Sequence, residues 1–156
     1  MRTVSGNSSF YVCCLAFLCF FAGCHVQKGP YNSRELQKYV HRLQGGFRME
    51  DYKAIVYLSE NTCPSCNHAF SQAVGQYALG NDSLLVIVNA KGRTMNLTPY
   101  WEYDGKNLIF DYTDNFLRLR LSTGSCIILL KECQIDSVVF IQPDNLDDSV
   151  DYLKHL

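Results

Sequence analysis

The chain has 156 residues, 47% of them hydrophobic, with 14 lysines and arginines against 15 aspartates and glutamates and a formal net charge of −1. That length suits one domain of ordinary size with a core of its own. No basic run, arginine-rich face or aromatic-basic interleaving occurs, which excludes the electrostatic footprint of a nucleic-acid-binding surface.

Arg2 is the only charge before the apolar run "FYVCCLAFLCFFA", residues 10–22. Thirteen residues fall short of the roughly 20 that span a bilayer, and the run reads as the apolar region of a secretory signal. It ends in "FAGC", residues 21–24, with two small residues before a cysteine. This ending resembles the lipobox of bacterial lipoproteins, with Phe21 where that family usually carries leucine. The resemblance implies a lipoprotein signal peptide over 1–23, acylation of Cys24, and a lipid-anchored protein on a bacterial envelope membrane, facing the periplasm. The plain alternative is an ordinary cleaved signal or an uncleaved anchor, with Cys24 one more small hydrophobe. All of these take the chain out of the cytoplasm.

Removal of 1–23 takes away Arg2 and leaves 13 basic against 15 acidic residues, a net of −2. Cys13, Cys14 and Cys19 go with the signal and Cys24 is consumed by lipid, so Cys63, Cys66, Cys126 and Cys133 remain. Four thiols are too few for a disulfide scaffold in a domain with apolar residues enough for a core.

Along the rest of the chain, "NSRELQKYVHRLQGG" places Leu36, Tyr39, Val40 and Leu43 at helical spacing, with Asn32 or Ser33 as cap and Gly45 as the stop. Residues 24–52 are therefore expected to form an N-terminal tether and amphipathic helix, ahead of a domain over 53–156. "KAIVYL" and "SLLVIV" are short apolar runs rich in β-branched residues, the pattern of strands buried on both faces. Between them Phe70, Val74, Tyr77 and Ala78 share a helical face, and Gly80 can end the last turn. Strand, helix, strand over about 38 residues implies a right-handed parallel crossover. The segment 89–106 is the least regular; Trp101 and its tyrosine neighbours either line a partner-binding edge or cap the core. "NLIFDY" reads as a strand, "SCIILLKECQIDSVVFIQP" as two strands around a turn at 131–134, and Leu146, Val150, Leu153 and Leu156 as one face of a closing helix.

The motif that carries chemistry is "CPSC", Cys63 to Cys66, directly after the first apolar strand. A strand ending just before Cys-Pro-x-Cys, a helix opening on the pair, a second parallel strand, then a hairpin and a C-terminal helix resembles the thioredoxin fold. "NLIFDYTDNFLRLRLSTGSCIILLKECQIDSVVFI" is similar in layout to the membrane-tethered, thioredoxin-like thiol-disulfide oxidoreductases of the bacterial envelope. The resemblance covers roughly 53–156 and implies an α/β fold, with a central mixed β-sheet flanked by helices, a closing hairpin and a C-terminal helix. It implies Cys63 as nucleophile, Cys66 as resolving thiol, Pro64 and Ser65 as residues that tune the potential, and protein thiols or disulfides as partners.

A cysteine at the N-terminal end of a Pro64-initiated helix gains from unpaired N–H groups and the helix dipole, which stabilise a thiolate. Its pKa is expected below the free value of about 8.5. Ser125 stands where the family carries a cis-proline facing the pair; a cis bond at a non-proline costs about 3 kcal/mol, so a trans bond is expected. Thr62 replaces an aromatic residue before the pair, and Tyr57 an acidic group that assists proton transfer. Cys126, next to Ser125, is read either as a third redox partner facing the pair or as core. A bond between Cys126 and Cys133 is not expected, because it would need the hairpin strands out of register.

Three readings of Cys63 and Cys66 stay open: a redox pair, an inert disulfide on a degenerate thioredoxin-like domain used for partner binding, and zinc. A structural zinc site wants four ligands and His68 is the only obvious third, so no metal and no cofactor is expected. His41 and His155 fall on exposed helix faces by pattern.

Overall fold

The computed structural model describes residues 26–27, 31–92 and 95–156. The signal expected over 1–23 and the lipidation site expected at Cys24 lie outside the described residues. The elements in chain order are β1 (Val26–Gln27), α1 (Ser33–Leu43), β2 (Ala54–Leu58), α2 (Pro64–Tyr77), β3 (Leu84–Asn89), α3 (Thr98–Trp101), β4 (Leu108–Asp111), β5 (Cys126–Lys131), β6 (Gln134–Phe140) and α4 (Leu146–Lys154). Single 3₁₀ turns occur at Met49–Asp51 and Asn115–Leu119.

This is an α/β unit built on one mixed sheet, in the order β1-β6-β5-β2-β3-β4. β2 lies parallel to β3, and β3 to β4, while β2 to β5, β5 to β6 and β6 to the two-residue β1 are antiparallel. Every residue of β2 and β3 is buried, as continuous apolar runs covered on both faces must be. Side chains alternate across the sheet, so each strand feeds two cores. Tyr57, Ile87 and Ile128 meet Leu36, Tyr39 and Val40 of α1 on one face. Val56, Val86 and Ile127 meet Phe70 and Val74 of α2 and Leu153 of α4 on the other.

In the first layer Tyr57 stacks on Phe116 with ring centroids 3.6 Å apart, and Tyr39 meets the same ring edge-on at 5.7 Å. Burial of each such aromatic or aliphatic side chain stabilises the fold by roughly 1.5–3 kcal/mol. Helix α1 is therefore a wall of the core. An amphipathic stripe of this kind gains stability only by covering apolar surface, and the exposed face of the sheet supplies it. Asn32 caps the helix, its Oδ1 accepting the Glu35 N–H at 3.2 Å. The helix ends at Leu43, and the left-handed residue of the following turn is Gly46, φ +88°, rather than Gly45.

Tyr100 is fully buried, while Trp101 is 64% exposed. Among the described residues no helix is long and apolar enough to cross a membrane.

The β5–β6 hairpin turns on two residues, Glu132 and Cys133, with φ of +51° and +62°. Two central residues at positive φ fit the right-handed twist of the strands and favour Asn-Gly; an L side chain in that region costs roughly 1–2 kcal/mol. The double substitution Glu132→Asn with Cys133→Gly should raise stability by about 1–2 kcal/mol. The urea midpoint is the measurement, and an unchanged or lower midpoint would refute the strained-turn account.

Candidate functional site

The chain leaves β2 at Leu58, crosses five residues and re-enters regular structure at Pro64. Proline suits this first helical position because its fixed φ is helical and its missing N–H has no partner to lose. Cys63 is the N-cap, and its Sγ accepts the Cys66 N–H at 3.1 Å, the role an aspartate or serine oxygen usually fills. The Cys63 carbonyl accepts the Asn67 N–H at 2.8 Å. No acidic side chain lies in the first turn of α2, so nothing there offsets the positive end of the helix dipole.

Cys63 and Cys66 are joined by a disulfide, with Cα atoms 5.3 Å apart. The two sulfurs differ in access: Cys66 is buried at 2% exposure, whereas Cys63 is half-buried. Ser65 is exposed, with its Oγ 3.6 Å from Cys63 Sγ.

The residues before β5 close over the pair. Ser125 is buried; its Oγ accepts the Ser59 N–H at 3.0 Å, with the Ser59 carbonyl and Asn67 Oδ1 each at 3.3 Å as acceptors for its own proton. Its backbone N–H donates to Thr62 Oγ1 at 2.6 Å. All peptide bonds among the described residues are trans, that of Ser125 included.

Gly124 permits this approach, since a Cβ there would stand 3.0 Å from Thr62 Oγ1. Thr62, Cys63, Gly124 and Ser125 share a groove of about 290 Å³ with Phe140 and Pro143, and no charged side chain lines it.

Cys126 does not face the pair. One residue further along the strand the side chain points to the opposite face, where it is fully buried among Tyr57 and Ile128. Burial pushes its thiol up to about 12, which keeps it neutral and inert.

Tyr57 lies in that same layer, its hydroxyl accepting from Asn89 Nδ2 at 3.0 Å, and burial raises it to about 12. Cys133 is an exposed free thiol in the hairpin turn. His41, His68 and His155 are exposed. Among the described residues no group of three His, Cys, Asp or Glu side chains is arranged to hold a metal ion.

Sequence reasoning missed Ser59 and Asn67 as supports of the pair, and noted Thr62 only as a departure from the family pattern. It also missed Asp111, wholly buried in the first layer, which accepts from the Tyr39 hydroxyl at 2.6 Å and from Thr113 N–H at 2.7 Å. Burial first, and then this carboxylate, push the Tyr39 hydroxyl well above its usual range. The pair ties α1 to the end of β4.

No protein-family model, curated protein or solved structure matches this chain.

Thr62→Val keeps the shape of the side chain and removes the acceptor of a buried N–H. Leaving that donor unpaired costs about 1–3 kcal/mol, whereas Thr62→Ser keeps the hydroxyl and most of the stability. Urea unfolding of the two variants checks this, and equal losses would show that the Ser125 bond contributes nothing.

Proposed function

We propose that the protein is a thioredoxin-like thiol-disulfide oxidoreductase of the bacterial envelope, acting on protein cysteines through Cys63 and Cys66 and anchored by a lipid at Cys24. The single observation that carries the chemistry is the Cys63 sulfur held as N-cap of α2, half-buried, with its partner sulfur one turn inward and shielded. Support for the fold comes from the order of elements. A buried strand ends before the pair, a parallel strand follows, and an antiparallel hairpin leads to a helix that packs against the same face as α2. Support for the anchor is the "FAGC" stretch after the apolar run.

In the oxidised protein a substrate thiolate attacks Cys63 Sγ. The Cys63–Cys66 bond breaks, and Cys66 leaves as a thiolate that takes up a proton. A second substrate thiolate then attacks its own half of the mixed disulfide and releases Cys63. The substrate gains a disulfide and the protein two thiols, so two electrons move and atoms balance. In the opposite direction the Cys63 thiolate attacks a substrate disulfide and Cys66 resolves the mixed disulfide. The helix N-terminus serves both directions, because Cys63 is the more exposed sulfur of the pair and its thiolate is the stabilised one.

Cys66→Ser should accumulate a covalent mixed disulfide with an unfolded disulfide-containing protein, visible on non-reducing gels, while Cys63→Ser should trap almost none. Trapping by Cys63→Ser instead would reverse the assigned roles. Failure of the wild-type protein to reduce insulin, with its fold intact, would favour the non-enzymatic lipoprotein that uses a degenerate thioredoxin-like domain for partner binding.

A further inference from the structure

Helix α2 has two working faces. Cys66, Phe70, Ala73 and Val74 turn toward the sheet. On another face His68, Ser71, Gln72, Gly75 and Gln76 recur at three- and four-residue spacing and form one wall of an open cleft of about 870 Å³. Met95, Asn96 and Pro99 form the facing wall. That wall is fixed to the helix by Tyr100, whose ring is fully buried and whose hydroxyl lies 2.6 Å from Ser71 Oγ and donates to the Ser71 carbonyl at 2.7 Å.

The cleft starts one residue from Cys63. Pro64, the neighbour of Cys63, lines its near end, as does Asn67, which is also bonded to Ser125. From residue 64 to residue 76 a helix rises roughly 18 Å. An extended peptide covers that length in about five or six residues.

The lining chemistry suits such a peptide. The side-chain amides of Gln72 and Gln76 each carry both a donor and an acceptor, and Asn96, whose Oδ1 accepts the Thr98 N–H, keeps its Nδ2 donors, which matches the alternating groups of a polypeptide backbone. Met95 and Pro99 add apolar surface, the methionine being adaptable in shape. No lysine or arginine lines the cleft, and Glu60, whose Oε1 accepts the Met95 N–H at 3.3 Å, places a carboxylate at it, a lining that disfavours a phosphate or a carboxylate ligand.

We propose that this cleft holds the extended polypeptide segment that flanks the reacting cysteine of a protein substrate. The site then takes unfolded or loosely folded proteins in preference to small thiols. This deepens the thiol-disulfide reading of Cys63 and rests on it.

The test is binding of a probe that has neither a free thiol nor a disulfide, so that it reads the cleft independently of the chemistry at Cys63. Fluorescein-labelled, reduced and carboxamidomethylated α-lactalbumin serves, titrated against the detergent-solubilised full-length protein and followed by anisotropy. A Cβ at position 75 meets nothing within 4 Å, so Gly75→Phe fills the cleft, and it replaces a poor helix former with a better one. Saturable binding is expected, weakened at least tenfold by Gly75→Phe. Amide NMR of the wild-type protein, which depends on no variant, should show the probe shifting resonances over 67–76 and 95–99. Absence of binding, equal affinity in Gly75→Phe, or shifts confined to 122–125 and 140–143 would each overturn the proposal. In any of these cases the redox reading still stands or falls on the Cys66→Ser trap.

Discussion

The first N–H groups of a helix have no carbonyl to bond, and at α2 one of them is met by a sulfur. The Cys66 N–H points at Cys63 Sγ at 3.1 Å. One contact thus caps the helix and holds the half-buried cysteine at the positive end of the helix dipole. The surroundings keep that geometry in place. β2 lies between β3 and β5 with both faces covered, so the loop after Leu58 leaves from a fixed point. Pro64 then commits the chain to helix at the next residue, and Phe70 and Val74 anchor the turns that follow.

A second constraint fixes what stands opposite the sulfur. Thr62, Ser59 and Asn67 bracket the pair in sequence, and all three bond to Ser125. Satisfied polar groups in a buried setting hold position more strictly than apolar contacts, because any slip leaves a donor unpaired. Gly124 lets the two loops come this close. The sheet meanwhile separates the thiols, with Cys126 sealed in the opposite layer and Cys133 out in the hairpin turn. Of the four cysteines among the described residues, Cys63 alone lines the groove.

Much of the architecture was legible in the sequence, because apolar periodicity reports which surface an element buries. Leu36, Tyr39 and Val40 marked α1, the unbroken runs marked β2 and β3, and Leu146, Val150 and Leu153 marked α4. Periodicity does not say which surface receives a face, so α1 was read as an amphipathic helix ahead of the domain without the sheet face it packs on. The Ser125 network was not legible, since its bonds to Ser59, Thr62 and Asn67 join residues about sixty apart. The orientation of Cys126 follows from strand alternation, but only once the register of Tyr57 opposite Cys126 is known. The turn at 131–134 was legible from the strands on either side of it, but its conformation was not, since Glu132 and Cys133 at positive φ carry no glycine or asparagine to announce it. The cleft along α2 was hidden for a related reason: its polar stripe reads as an ordinary solvated helix face until Met95 and Pro99 are seen across from it.

Everything chemical in this account depends on the helix N-terminus lowering the proton affinity of one sulfur. The direct measurement is the rate of iodoacetamide alkylation at Cys63 in the reduced protein as a function of pH, resolved from Cys66 by peptide mass spectrometry. The account predicts a Cys63 midpoint clearly below the free-thiol value of about 8.5, with Cys66 reacting far more slowly near pH 6. A Cys63 midpoint at or above the free value, or equal labelling of the two cysteines, would contradict it and leave the pair as an inert disulfide.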